Sequence, residues 1–85
     1  MDEIQVGKVL HYFDKAQVCV IILENDALKI GDTVRFKGEH TDFSQTIESM
    51  QVDKKQVDAI DAVQEVAIKV AAQCRRNDVV YKIVA

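Results

Sequence analysis

Eighty-five residues suffice for one hydrophobic core and fall short of two, so the chain reads as a single domain over residues 1–85. With 48% hydrophobic and 29% charged residues it has apolar material for a core and polar material to cover it, which excludes wholesale disorder. A formal charge of −3 argues against strong non-specific attraction to nucleic acid, because that attraction depends on Lys and Arg neutralising phosphates.

Tryptophan is absent and aromatic residues are few, so the core rests on Val, Ile, Ala and Leu, whose β-branched members suit a pleated sheet. Ile4 to Phe13 and Ala16 to Leu23 are two such runs separated by Asp14-Lys15, and they should pair antiparallel as a hairpin. In the first run Ile4 and Val6 share one phase whereas Val9, His11 and Phe13 share the other, so a bulge or bend is expected at Gly7, where the phase changes. The stretch VCVIIL in the second run is apolar on both faces, which marks a strand that is central or covered.

Leu28 to Val34 reads as a tight turn feeding a new strand, with Gly31 suited to a positive φ and Asp32 to bonding backbone amides in the turn. The strand that follows alternates, with Val34 and Phe36 inward and Thr33, Arg35 and Lys37 outward, so its outer face is basic. After the polar loop Gly38 to Asp42, the run Phe43 to Val52 reads as a further strand whose phase changes between Ile47 and Met50, implying a second bulge or bend. The stretch from Asp53 to Arg76 fits two patterns. As a helix capped by Asp61 and ended by Asn77 it places Ala59, Val63, Val66, Ala67, Val70 and Cys74 on one side; as a strand it places Val66, Ile68 and Val70 inward. Val79 to Val84 closes the chain as a strand.

Gly7-Lys8-Val9, Leu28 to Val34, Gln45 to Gln51, Glu65 to Val70 and Asn77 to Lys82, taken in this order and spacing, resemble the second domain of elongation factor Tu and its relatives. The details Tyr12 to Lys15, Thr41 to Phe43 and Glu48 to Gln51 resemble two variants of that domain more closely: a free-standing elongation factor-like protein and the accessory C-terminal barrel of U32-type peptidases. The resemblance implies an all-β fold, a small closed antiparallel six-stranded barrel. It also implies that the segment matching Ala62 to Val70 is a turn followed by a strand rather than a helix. Where the family has glycine before an acidic residue at two turns, this chain has Gln64 and Asn77; Asn tolerates the left-handed region and Gln does so poorly, so the turn at Gln64 should differ and residues 53–62 stay open to helix.

No phosphate-cradling G-x-x-x-x-G-K-[ST] loop exists, so nucleotide hydrolysis is excluded. His11, His40, Cys19 and Cys74 lack the paired spacing of a zinc site; the histidines read as ordinary strand and loop residues, and the cysteines as buried free thiols of a reducing cytosol with no close partner. Nothing positions a substrate near Asp58 and Asp61, so the chain is read as no enzyme, with no catalytic residue, cofactor or metal. Tyr12 and Phe13 are better placed in the core than stacked on a base. No apolar run reaches the roughly 20 residues that span a bilayer, and the start MDEIQVGKVL lacks a basic leader, so the expected location is cytoplasmic, away from membranes.

The expected function is a binding module associated with translation. Arg35, Lys37, Arg75, Arg76 and Lys82 form its candidate surface for tRNA, rRNA or a ribosome-associated protein, and Gly7, Gly31, Asp32 and Asn77 shape its turns. The alternative is an accessory subunit that docks onto a U32-peptidase-like enzyme through an apolar face or an open strand edge. Oligomeric state stays open.

Overall fold

The computed structural model describes residues 2–25, 27–61 and 63–84. Its strands are β1 (Asp2–Phe13), β2 (Val18–Leu23), β3 (Leu28–Lys29), β4 (Thr33–Lys37), β5 (Asp42–Thr46), β6 (Met50–Val52), β7 (Lys55–Val57), β8 (Ala59–Ile60), β9 (Gln64–Lys69) and β10 (Val79–Val84). There is no helix among the described residues. Eight strands make one antiparallel sheet in the order β5-β4-β10-β1-β2-β9-β6-β7, and β3 pairs with β8 in a separate two-stranded sheet.

β1 and β2 pair antiparallel as the runs of β-branched residues require. The connection is longer than Asp14-Lys15, however: it spans residues 14–17, and Gln17 turns the corner at φ 53. The ladder between β1 and β10 slips between Gln5 and Gly7, where a phase change was expected. A side chain at Gly7 would run into the carbonyl of Ile22, so this close approach admits only glycine. A second slip, between Val9 and His11, was not legible in the sequence. It reverses the phase again and corrects the reading of Phe13: the ring lies outside the core, 53% exposed, while Tyr12 packs against the core instead.

β2 is central, between β1 and β9, and buries Cys19, Ile21 and Leu23. β4 alternates as its sequence indicates, with Val34 and Phe36 fully buried. Phe43 to Val52 is not one bent strand. It breaks over residues 47–49 into β5, paired with β4, and β6, paired with β7 and β9, and Ile47 drops into the core between them. Of the stretch 53–62, left open to helix, Ala62 lies outside the described residues and 53–61 hold no helix: Asp53 and Lys54, both with positive φ, form the turn of the β6–β7 hairpin, and β8 follows. β9 is a strand that buries Val66 and Ile68, and Val70 just beyond its end is buried as well. Gln64 lies within it opposite Leu23 rather than at a left-handed turn, whereas Asn77 takes φ 73.

The resemblance implied a closed six-stranded barrel; the observed sheet has eight strands and no ladder joins its edges β5 and β7. The seam nevertheless carries a side-chain bridge. The Gln45 amide on β5 donates from Nε2 to the Lys69 carbonyl at 2.8 Å and accepts at Oε1 from the Ala71 amide at 2.8 Å, so it imitates a peptide group of a neighbouring strand at the end of β9. Nearby, Gly31 N donates to the Ile47 carbonyl and Ile47 N to that of Asp32, each within 2.9 Å, tying the β5 exit to the turn before β4.

Candidate functional site

The five basic residues singled out in the sequence do not converge on one surface. Arg35 stands on the outer face of β4, opposite Tyr81 of β10. It is occupied twice over: Nη1 donates to Glu3 Oε1 at 2.6 Å, while Nε and Nη2 form a two-pronged pair with Asp42 at 2.9 and 3.0 Å. Reaching over β10, the guanidinium clasps β1, β4 and β5 together. The hydrogen bonds from Arg35 hold the Asp42 carboxyl below its ordinary value, and those to Asp42 and then Glu3 push the Arg35 pKa up. The outer face of β4 was expected to be basic, and its central charge is neutralised.

Lys37 lies on that same outer face, exposed and opposite Val79. The exposed pair Arg75 and Arg76 sits in the loop that enters β10, at the Lys37 end of the ladder. Lys82 belongs to the opposite face, because it pairs with the buried Val34. Its Nζ donates to the Ala27 carbonyl at 3.1 Å and lies 3.7 Å from Asp32 Oδ2. Asp32 also accepts the Lys29 amide at 3.1 Å, within the turn that Gly31 makes at φ 97. Lys82, Lys29, Asp32 and Asp61 rim a depression of about 350 Å³ floored by Leu28 and Ile60, where the small sheet meets β10. His11 and His40 are both exposed. No group of three or more His, Cys, Asp or Glu among the described residues is placed to hold a metal ion.

A second surface emerges from register. β2 turns Cys19, Ile21 and Leu23 inward, so Val18, Val20 and Ile22 face outward; they are half-buried yet form no part of the core cluster. Across the ladder to β1 their partners are Phe13, His11 and Lys8, and across the ladder to β9 they are Lys69, Ala67 and Glu65. The result is a strip of Phe13, Val18, Val20, Ile22 and Ala67 on the solvent side of the sheet centre, bordered by Lys8, Lys69 and Glu65. The doubly apolar sequence VCVIIL announced it; its extension through Phe13 depends on the slip between Val9 and His11 and was hidden. Contiguous apolar area on an outer face is the usual mark of a partner.

No family model matches the chain. Over 80 residues it is 34% identical to an uncharacterized protease of Methanocaldococcus jannaschii, a match that takes in 93% of this chain and 19% of the relative's length. The chain thus spans about one fifth of the curated relative it matches. A crystal structure of the C-terminal domain of a Geobacillus thermoleovorans protein assigned to the U32 peptidases superposes with a TM-score of 0.83 at 26% identity, covering 89% of this chain and 95% of that domain. That structure is of the selenomethionine variant. Another structure of the same domain gives 0.87 over 94% and 92% of the two chains at 24% identity, a likeness of fold alone. The likeness is to the C-terminal domain of that protein.

Proposed function

We propose that this chain is the accessory domain of a U32-peptidase-like enzyme, and that it docks onto the catalytic body through the outer strip of β1, β2 and β9. One observation carries the reading: the fold matches the C-terminal domain of a Geobacillus thermoleovorans protein assigned to the U32 peptidases, and a body of more than four times its length accompanies the matching region in the M. jannaschii relative. A domain in that position needs a surface for its neighbour. The strip centred on Val20 supplies apolar area flanked by charges of both signs, as interface cores with polar rims do. The translation reading draws on the basic residues, and the pairing of Arg35 with Glu3 and Asp42 weakens it.

The test uses the M. jannaschii protease with its own matching 80 residues removed, titrated with this chain and followed by calorimetry. Complex formation should persist from about 50 to about 500 mM salt, since apolar contacts are not screened. Substituting Phe13→Asp together with Val20→Asp should weaken it by roughly tenfold or more, as expected for residues at an interface centre. Absence of binding, or binding indifferent to both substitutions, refutes the assignment. Salt-sensitive binding of the chain to tRNA, lost on Arg75→Glu with Arg76→Glu, would restore the translation reading. Concentration-dependent dimerisation abolished by Val20→Asp would make a second copy the occupant, against the proposal.

A further inference from the structure

The seam of the sheet has two backbone edges that no ladder joins. On β5, Gly38 and Thr41 exchange bonds at the mouth of the β4–β5 hairpin, at 2.7 and 3.5 Å. Counting from that pair by twos, Phe43 and Gln45 turn their amides and carbonyls towards β4, so those of Asp42, Ser44 and Thr46 face away from it. Among the described residues none of these three enters a backbone bond outside the ladders, and their positions are exposed. Across the seam, β6 pairs with β9 only at Ala67 and Ile68. Residues 69–71 run past that pairing, and on this side the Lys69 amide reaches the Ser49 carbonyl at 3.4 Å while the Lys69 carbonyl and the Ala71 amide meet only the Gln45 side chain. Between the edges lies a cleft of about 270 Å³, lined by Gln17, Thr46, Glu48, Lys69 and Ala71 and crossed by Gln45.

We propose that this cleft takes an extended segment of the catalytic body, which pairs antiparallel with β5 and replaces the Gln45 amide on Lys69 and Ala71. The group already bound there identifies the occupant. The Lys69 carbonyl and the Ala71 amide bracket Val70 on one side of the chain, the pattern that a residue of a parallel neighbour meets with its own N–H and C=O; the Gln45 amide is a side-chain copy of those two groups. Five antiparallel ladders separate β5 from β9, so the two strands run in opposite directions. A segment parallel to the end of β9 is therefore antiparallel to β5, and both edges ask for the same chain direction.

The source follows from continuity, and in this the inference rests on the docking reading. Lys69 belongs both to the cleft and to the border of the outer strip, opposite Val18, and Gln17 of the cleft adjoins Val18 in the chain. A body lying on the strip thus reaches the cleft without leaving the surface. Main-chain bonds supply the attraction, as when a peptide adds a strand to a sheet edge, so the segment's side chains matter little except that proline cannot donate to the Lys69 carbonyl. The Gln45 side chain competes with the segment for the same two groups, so removing it favours the complex.

The experiment follows amide hydrogen exchange of the full chain, residue by residue, alone and with the M. jannaschii protease that lacks its own matching 80 residues. In the complex the Ser44 and Thr46 amides should slow by roughly tenfold or more, as hydrogen-bonded strand amides do. Gln45→Ala should bind the protease roughly fivefold more tightly, the equivalent of two exposed hydrogen bonds no longer broken on binding. A complex in which Ser44 and Thr46 exchange as in the free chain overturns this inference and leaves the docking reading standing. Equal or weaker binding by Gln45→Ala overturns the replacement of its amide. Slowing of Ser44 and Thr46 as the chain alone is concentrated would make a second copy the occupant, against the proposal. Failure to form any complex removes this inference together with the docking reading.

Discussion

Replacing Gln45 with alanine removes both hydrogen bonds of the bridge from β5 to the end of β9. A typical intramolecular hydrogen bond contributes about 0.5–1.5 kcal/mol net. Both bonds lie at a water-accessible position, so the freed Lys69 carbonyl and Ala71 amide regain water, and the lower end of that range applies. Two bonds at about 0.5 kcal/mol each give a loss of about 1 kcal/mol. With a urea dependence of about 1 kcal/mol/M for a domain this small, the midpoint should fall by about 1 M without a change in slope. Gln45→Glu keeps an acceptor for Ala71 N but turns a carboxylate oxygen towards the Lys69 carbonyl, so it should cost at least as much at neutral pH. Urea unfolding followed by circular dichroism measures both. If Gln45→Ala unfolds within about 0.2 M of the parent, the bridge is decorative and the seam is held by core packing alone.

Gly31→Ala meets no atom within 4 Å, so its effect is conformational, and forcing φ 97 on a residue with a Cβ should cost about 1–3 kcal/mol in the same assay. Thr41 Oγ1 is buried without a hydrogen-bond partner, so Thr41→Val should leave the urea midpoint unchanged or raise it; a clear fall would reveal a partner for the hydroxyl. The Asp42 carboxyl is held below its ordinary value of 3.8 in the folded chain, so the stability it confers is complete at neutral pH and fades as pH drops below that value. Asp42→Asn should narrow the gap between thermal midpoints at pH 7 and pH 3, and an unchanged gap refutes the link. Cys19 is perturbed the other way: its folded pKa is raised, so its contribution is intact below 9.0 and declines above it as the unfolded thiol ionises. Cys19→Ser should flatten that alkaline decline.

How much the sequence disclosed depended on whether one residue type could settle a local geometry. Gly31 and Asn77 mark turns because few residues accept positive φ, and Val34 and Phe36 mark an inward face because a strand alternates with period two. The slip between Val9 and His11 has no such marker: Leu10 is an ordinary strand residue, and the register is set by pairing with β2. Phe13 was misplaced for that reason. Likewise Phe43 to Val52 reads as continuous because nothing in Ile47-Glu48-Ser49 breaks a strand by itself, whereas burying Ile47 between two sets of partners does. The basic residues could be named, but not their pairing, since Glu3 and Asp42 reach Arg35 only once β1, β4 and β5 are assembled.

The clasp at Arg35 has an electrostatic consequence for anything that approaches. To grip an incoming phosphate, this guanidinium must first let go of two carboxylates that already saturate it, so the intramolecular pair competes with the visitor. The outer face of β4 behaves towards a polyanion as a closed fist, so of the basic residues singled out in the sequence it is the exposed Lys37, Arg75 and Arg76 that respond to ionic strength.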